Sequence, residues 1–105
     1  MKDGFVTFED LKFEVSFLGF KLPFMKDTKM LARAFFSNGY GVSVITGGGA
    51  YGDAEHPYEL AVLKGTEENA ELCYDTPITD DVIGYLTADD VTKHMIEVQK
   101  LEKAQ

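Results

Sequence analysis

The sequence predicts an α+β fold: an antiparallel meander sheet of about four strands with one C-terminal helix packed on one face. Three observations lead there. Short alternating or β-branched apolar runs fill most of the chain, an Asn-Gly pair stands between two of them, and the apolar period lengthens to that of a helix near the C-terminus. Strands gathered together and followed by a helix, with connections short enough for hairpins, point to α+β. The 105 residues suit a single domain, 1–105, and are too few for two independent cores. Eight Phe and five Tyr supply bulky core material.

Taken in order, residues 1–4 read as a loose end. Leu11, Phe13, Val15 and Phe17 alternate with Lys12, Glu14 and Ser16, the pattern of a half-buried strand. The stretch 19–29 sets Phe20, Leu22, Phe24 and Met25 among Gly, Pro and three Lys, and reads as a connection with exposed apolar side chains. The cluster Phe17, Leu18, Phe20, Leu22 and Phe24 is too apolar to stay fully exposed on a chain this small. It is expected to pack onto the sheet or to be buried in a homodimer.

Two strands follow, 29–36 and 41–46, joined through Asn38-Gly39 in a turn expected to be of type I′. Residues 47–57, GGGAYGDAEHP, form a flexible, glycine-rich, acidic loop. Strands are then expected over 58–63 and 71–74, paired across the polar turn 66–70. Thr87 with Asp90 three residues later resembles a capping box. Val91, Met95, Val98 and Leu101 make one apolar helical stripe, so a helix is expected from about Ala88 to Lys103. Asp89 and Asp90 suit its positive end, Lys100 and Lys103 its negative end.

Charge is unevenly spread. The net charge is −8, yet residues 1–52 hold six Lys/Arg and five Asp/Glu while residues 53–105 hold four Lys and thirteen Asp/Glu. Between Asp53 and Asp90 there are eleven acids and one base, Lys64. Such a field repels phosphates and anionic membranes and attracts basic partners, although acidity also serves solubility alone. No direct nucleic-acid or membrane binding is expected. Cys73 is the only cysteine, which excludes an intrachain disulfide and suits a reducing, cytoplasmic setting. MKDGFVTFED places acids where a signal peptide needs an apolar run.

Candidate chemistry is sparse. Gly47, Gly49 and Gly52 fit G-x-G-x-x-G after a strand, but DAEHPYE continues into another strand instead of a phosphate-binding helix. Asp53, Glu55 and His56 form a weak metal pattern, and His94 and Cys73 are isolated, so neither a metal nor a cofactor is expected. Asp75, Thr76, Thr79, Asp80 and Asp81 crowd oxygens around Pro77, as a polar turn, a partner contact or a cation site lacking EF-hand spacing.

The stretches NGYGVSVI, YELAVLKG and LCYDTPITDDVIGYLT resemble a group of small bacteriophage and prophage proteins with no agreed activity, across roughly residues 38–99. The resemblance implies a bacterial cell during infection. It further implies the role often taken by small acidic phage proteins, inhibition of a host enzyme such as a restriction or CRISPR nuclease through imitation of DNA charge.

The expected function is therefore that of an acidic, non-enzymatic protein that binds and modulates or inhibits a host protein with a basic surface. Its contact face would carry Glu55, Glu59, Glu67, Glu68, Glu71, Asp75, Asp80 and Asp81. The alternative is a small structural or virion-associated homo-oligomer assembled through the Phe17 to Phe24 cluster. An enzyme ranks third, because no nucleophile–base pair stands out in the sequence.

Overall fold

The computed structural model of the chain describes residues 4–15, 30–47, 52–73 and 82–102. A single 3-10 turn, Phe8–Asp10, precedes strands β1 (Glu14–Val15), β2 (Met30–Phe35), β3 (Tyr40–Thr46), β4 (Tyr58–Lys64), β5 (Glu71–Leu72) and β6 (Ile83–Leu86), and helix α1 (Ala88–Gln99) closes the order. The strands pair antiparallel in meander sequence from β1 to β5, and β6 pairs with β4. The fold is α+β, with the C-terminal helix packed on the sheet. β5 pairs with Leu63 and Lys64, β6 with Tyr58 and Leu60, so two short strands divide one edge of β4 between them.

Strand register explains the core. Ala32, Val44 and Leu60 stand in one cross-strand row, and Ala34, Val42 and Val62 in the next. Alternation along each strand puts these side chains on one face, where α1 lies and contributes buried Val91, Met95 and Val98. Each such side chain taken fully from water contributes roughly 1.5–3 kcal/mol. Leu86 of β6 extends the same core. The other face carries the rows Leu31–Ile45–Glu59, Arg33–Ser43–Ala61 and Phe35–Gly41–Leu63.

The N-terminal segment caps the helix side. Phe8 meets Tyr58 edge-on at 4.9 Å between ring centroids, and Phe13 lies 5.8 Å from Phe8 and 5.9 Å from Tyr58. The Gln99 side chain acts toward Val6 as a second peptide group: its Oε1 accepts from the Val6 N–H at 2.9 Å and its Nε2 donates to the Val6 carbonyl at 2.8 Å. Thr92 Oγ1 accepts from the Phe8 N–H. These contacts satisfy backbone groups at the entrance to the 3-10 turn.

Three local expectations change. Among the described residues of the strand expected around Leu11 to Phe17, only Glu14–Val15 pairs, with Met30 and Leu31. Leu11 and Phe13 instead pack against the core, directed there by a Thr7–Asp10 box in which the Thr7 N–H donates to Asp10 Oδ2. The Asn38-Gly39 hairpin forms, but by a three-residue route. The Gly39 N–H donates to Phe36 O, the Phe36 N–H donates to Tyr40 O, and Gly39 alone of the loop takes a positive φ, 87°. That is a type I turn followed by a glycine bulge, the second common way to match strand twist. The helix stops at Gln99, before Lys103, because Asn38 Nδ2 donates to the carbonyls of Val98 and Leu101 and so satisfies acceptors at its end. Strand β6 adds to the expected set. The 16–29 stretch, with Phe17, Leu18, Phe20, Leu22 and Phe24, lies outside the described residues.

Candidate interaction surface

Acidic side chains gather where β4 turns into β5. Glu67 and Glu68 are exposed in the turn, and Glu71 is exposed on β5 opposite Lys64. The turn is tied down at several points. Gly65 takes φ 119° and its N–H donates to Gly39 O at 2.9 Å, while the Asn69 N–H donates to Thr66 O. Arg33 reaches across the sheet, stacks 5.1 Å from the centre of the Phe35 ring and donates from Nη2 to the Glu67 carbonyl at 2.8 Å. The guanidinium thus binds a backbone oxygen and holds the turn that presents the carboxylates.

Glu55 lies at the opposite end of β4. It belongs to a turn built by Asp53, whose Oδ1 accepts from the N–H groups of Glu55 at 3.0 Å and His56 at 2.7 Å and lies 3.2 Å from His56 Nδ1. The His56 backbone bond, followed by its side-chain bond, outweighs partial desolvation and holds the Asp53 carboxyl below its ordinary pKa. Seven residues of strand at about 3.3 Å each put roughly 20 Å between the two turns, more than twice the screening length of about 8 Å at physiological salt. Glu55 therefore does not join Glu67, Glu68 and Glu71 in one field.

Glu59 requires a correction. Period two does place it opposite Tyr58 and Leu60, but it is 9% exposed. It sits near the start of β4, with Ile45 beside it on β3 and β6 on the other side, so it is not part of an open acidic face. Asp75, Asp80 and Asp81 lie outside the described residues. Of the expected contact face, the structure brings together Glu67, Glu68 and Glu71.

The other candidate chemistry is used locally. Beyond Gly52 the chain forms the Asp53 turn and then β4, with no helix to receive a phosphate. Among the described residues no three His, Cys, Asp or Glu side chains are grouped to hold a metal. His94 Nδ1 lies 2.7 Å from Glu97 Oε1. Cys73 is a buried thiol just after β5, and its N–H donates to Val62 O. A cavity of about 290 Å³ lies between the N-terminal segment, the β2–β3 hairpin and the end of α1. The amides of Asn38 and Gln99 that face it are engaged by backbone groups.

Two residues that the sequence reading did not select complete the surface. Leu72 on β5 is 53% exposed and Tyr85 on β6 is 58% exposed. Tyr85 stands in a register shift: Ile83 faces Leu60 and Leu86 faces Tyr58, so Gly84 and Tyr85 together oppose Glu59. Tyr85 takes φ 57°, the left-handed region that glycine enters freely and tyrosine rarely does. A glycine inside an apolar run, Gly84, is the sequence signal for such a bulge. No protein-family model, curated protein or solved structure matches the chain. No helix among the described residues is long and apolar enough to cross a membrane.

Proposed function

We propose that the chain is an acidic interaction protein of the phage type that binds a host bacterial protein through a basic surface and modulates or inhibits it, a nucleic-acid-binding or defence enzyme being the natural target. The observation that carries this reading is the β4–β5 turn. Three exposed carboxylates, Glu67, Glu68 and Glu71, stand on a backbone held by Gly39, Thr66 and Arg33. A preorganised charged turn gives up little freedom when it docks, so more of its electrostatic attraction remains as affinity. The imbalance of eleven acids to one base between Asp53 and Asp90 selects the sign of the partner. The sequence resemblance to phage proteins supplies the setting.

The test is retention of bacterial lysate proteins on the immobilised chain and on its Glu67→Lys/Glu68→Lys/Glu71→Lys variant, at low and high salt. A basic partner held by the parent at low salt, released at high salt and lost by the variant is the expected result. In a purified pair the reversal slows association more than it speeds dissociation. A partner indifferent to both salt and reversal would refute the reading.

A further inference from the structure

We propose that the β5–β6 edge of the sheet is the docking surface for that partner, with Leu72 and Tyr85 as apolar anchors flanked by Glu67, Glu68 and Glu71. This rests on the acidic-binding reading above and adds the chemistry the partner must carry, apolar side chains set among basic ones.

Four observations converge. Leu72 and Tyr85 are the large apolar side chains left most open among the described residues, and both belong to the short strands that share one edge of β4. They flank β4 residues of one face: Leu72 pairs with Leu63 and Tyr85 lies in the bulge opposite Glu59, and both Leu63 and Glu59 belong to the face away from α1. The β4 residues they flank, Leu63 and Glu59, are four positions apart, about 13 Å, a spacing two anchors of one interface can span. Finally, the bulge holds Tyr85 in a left-handed conformation although Gly84 is adjacent. Bulges at sheet edges re-aim side chains, and a strained residue persists where its side chain has a use.

The same features decide the occupant. A second copy of the chain meeting this edge would bring two sets of Glu67, Glu68 and Glu71 together, and like charges at an interface oppose association. A basic partner meets complementary charge there. The bulge also interrupts the regular edge, which disfavours an added strand. Contact is therefore through side chains, with tyrosine among the residue types enriched at the energetic centre of an interface.

Two synthetic peptides of equal length and equal positive charge test this, one alternating Arg with Leu and the other Arg with Gly, titrated against the full chain at low salt. The Arg/Leu peptide should bind about tenfold more tightly, as anchor side chains in an interface do. Tyr85→Gly and Leu72→Ser should each remove most of that advantage and leave binding of the Arg/Gly peptide unchanged. Tyr85→Gly should melt no lower than the parent, since glycine fits φ 57° without strain, so lost binding cannot be assigned to lost folding. Equal affinity for the two peptides, or an advantage that survives both substitutions, overturns the anchors and leaves the acidic turn standing. If neither peptide binds, or Glu67→Lys/Glu68→Lys/Glu71→Lys binds them as the parent does, the acidic reading fails and the anchors fall with it.

Discussion

The helix side of the sheet and the β5–β6 edge are built by different rules. On the helix side, contacts are redundant. The Thr87–Asp90 box starts α1, Asn38 ends it, Gln99 binds it to Val6, and Phe8, Phe13 and Tyr58 close the margin. Across β4 the edge is shared by strands of two and four residues, interrupted by a bulge, and carries Leu72, Tyr85 and the acidic turn in the open. One region ties together chain segments distant in sequence. The other displays side chains whose local geometry is held but whose surfaces are unspent. Loss of a side chain should therefore be felt as stability in the first and as binding in the second.

The comparison is tested most strongly by matched truncations. Leu60 is fully buried beneath α1, so Leu60→Ala should cost about 2–5 kcal/mol in chemical denaturation. Leu72→Ala, at the edge, should stay within about 0.5 kcal/mol of the parent. Similar losses at both sites would mean that the edge is core and would break the distinction.

A smaller effect is expected at the hairpin, the link between the sheet and the end of α1. Gly39→Val puts a β-branched residue at φ 87° and should cost at least about 1 kcal/mol. Asn38→Ala removes the side-chain donor shared by the Val98 and Leu101 carbonyls, of which Val98 O keeps the Leu101 N–H, a loss of about 1 kcal/mol. Amide exchange should then accelerate in the last turn of α1 and remain unchanged in β5 and β6. Uniform acceleration would show that the two regions open as one.

Local signals were readable in the sequence, and long-range ones were not. Asn38-Gly39, the Thr87–Asp90 box and the stripe Val91, Met95, Val98 and Leu101 announce the hairpin and the helix because each acts within a few residues. The same T-x-x-D pattern at Thr7 to Asp10 was hidden by the alternation beginning at Leu11. The roles of Asn38 and Gln99 depend on partners 60 and 93 positions away, which no local pattern encodes. Glu59 shows the limit of periodicity: alternation reports the side of a sheet, whereas depth depends on neighbours such as Ile45. The acids of the β4–β5 turn were legible because a polar turn is exposed whatever the topology. Gly84 signals a bulge, but which side chain it exposes is set by the partner strand, so Tyr85 was not legible.

The smallest expected effect separates carboxylates that build the fold from those that are only displayed. Asp10, Asp53 and Asp90 have pKa values below the ordinary aspartate value, each held down first by a backbone N–H bond, from Thr7, His56 and Thr87 respectively. A carboxyl whose folded pKa is depressed adds stability that is present above its unfolded pKa and is lost as pH falls through the folded one. The melting temperature should therefore drop from about pH 4 downward, the ordinary range for aspartate. An opposing term acts first, because protonating the many other acids relieves the repulsion implied by the net charge of −8. Total stability against pH consequently mixes two signs, and only a comparison of variants isolates the caps. Asn in place of each Asp keeps an oxygen that can accept the same backbone bond and removes the titration. Asp10→Asn/Asp53→Asn/Asp90→Asn should melt slightly lower than the parent at pH 7 and lose less as the pH falls below about 4, the ordinary aspartate value. Glu67→Gln/Glu68→Gln/Glu71→Gln should leave that acid slope as it is in the parent. If the second triple flattens the slope and the first does not, the turn acids carry folding energy, and the division between a structural side and a displayed edge is wrong.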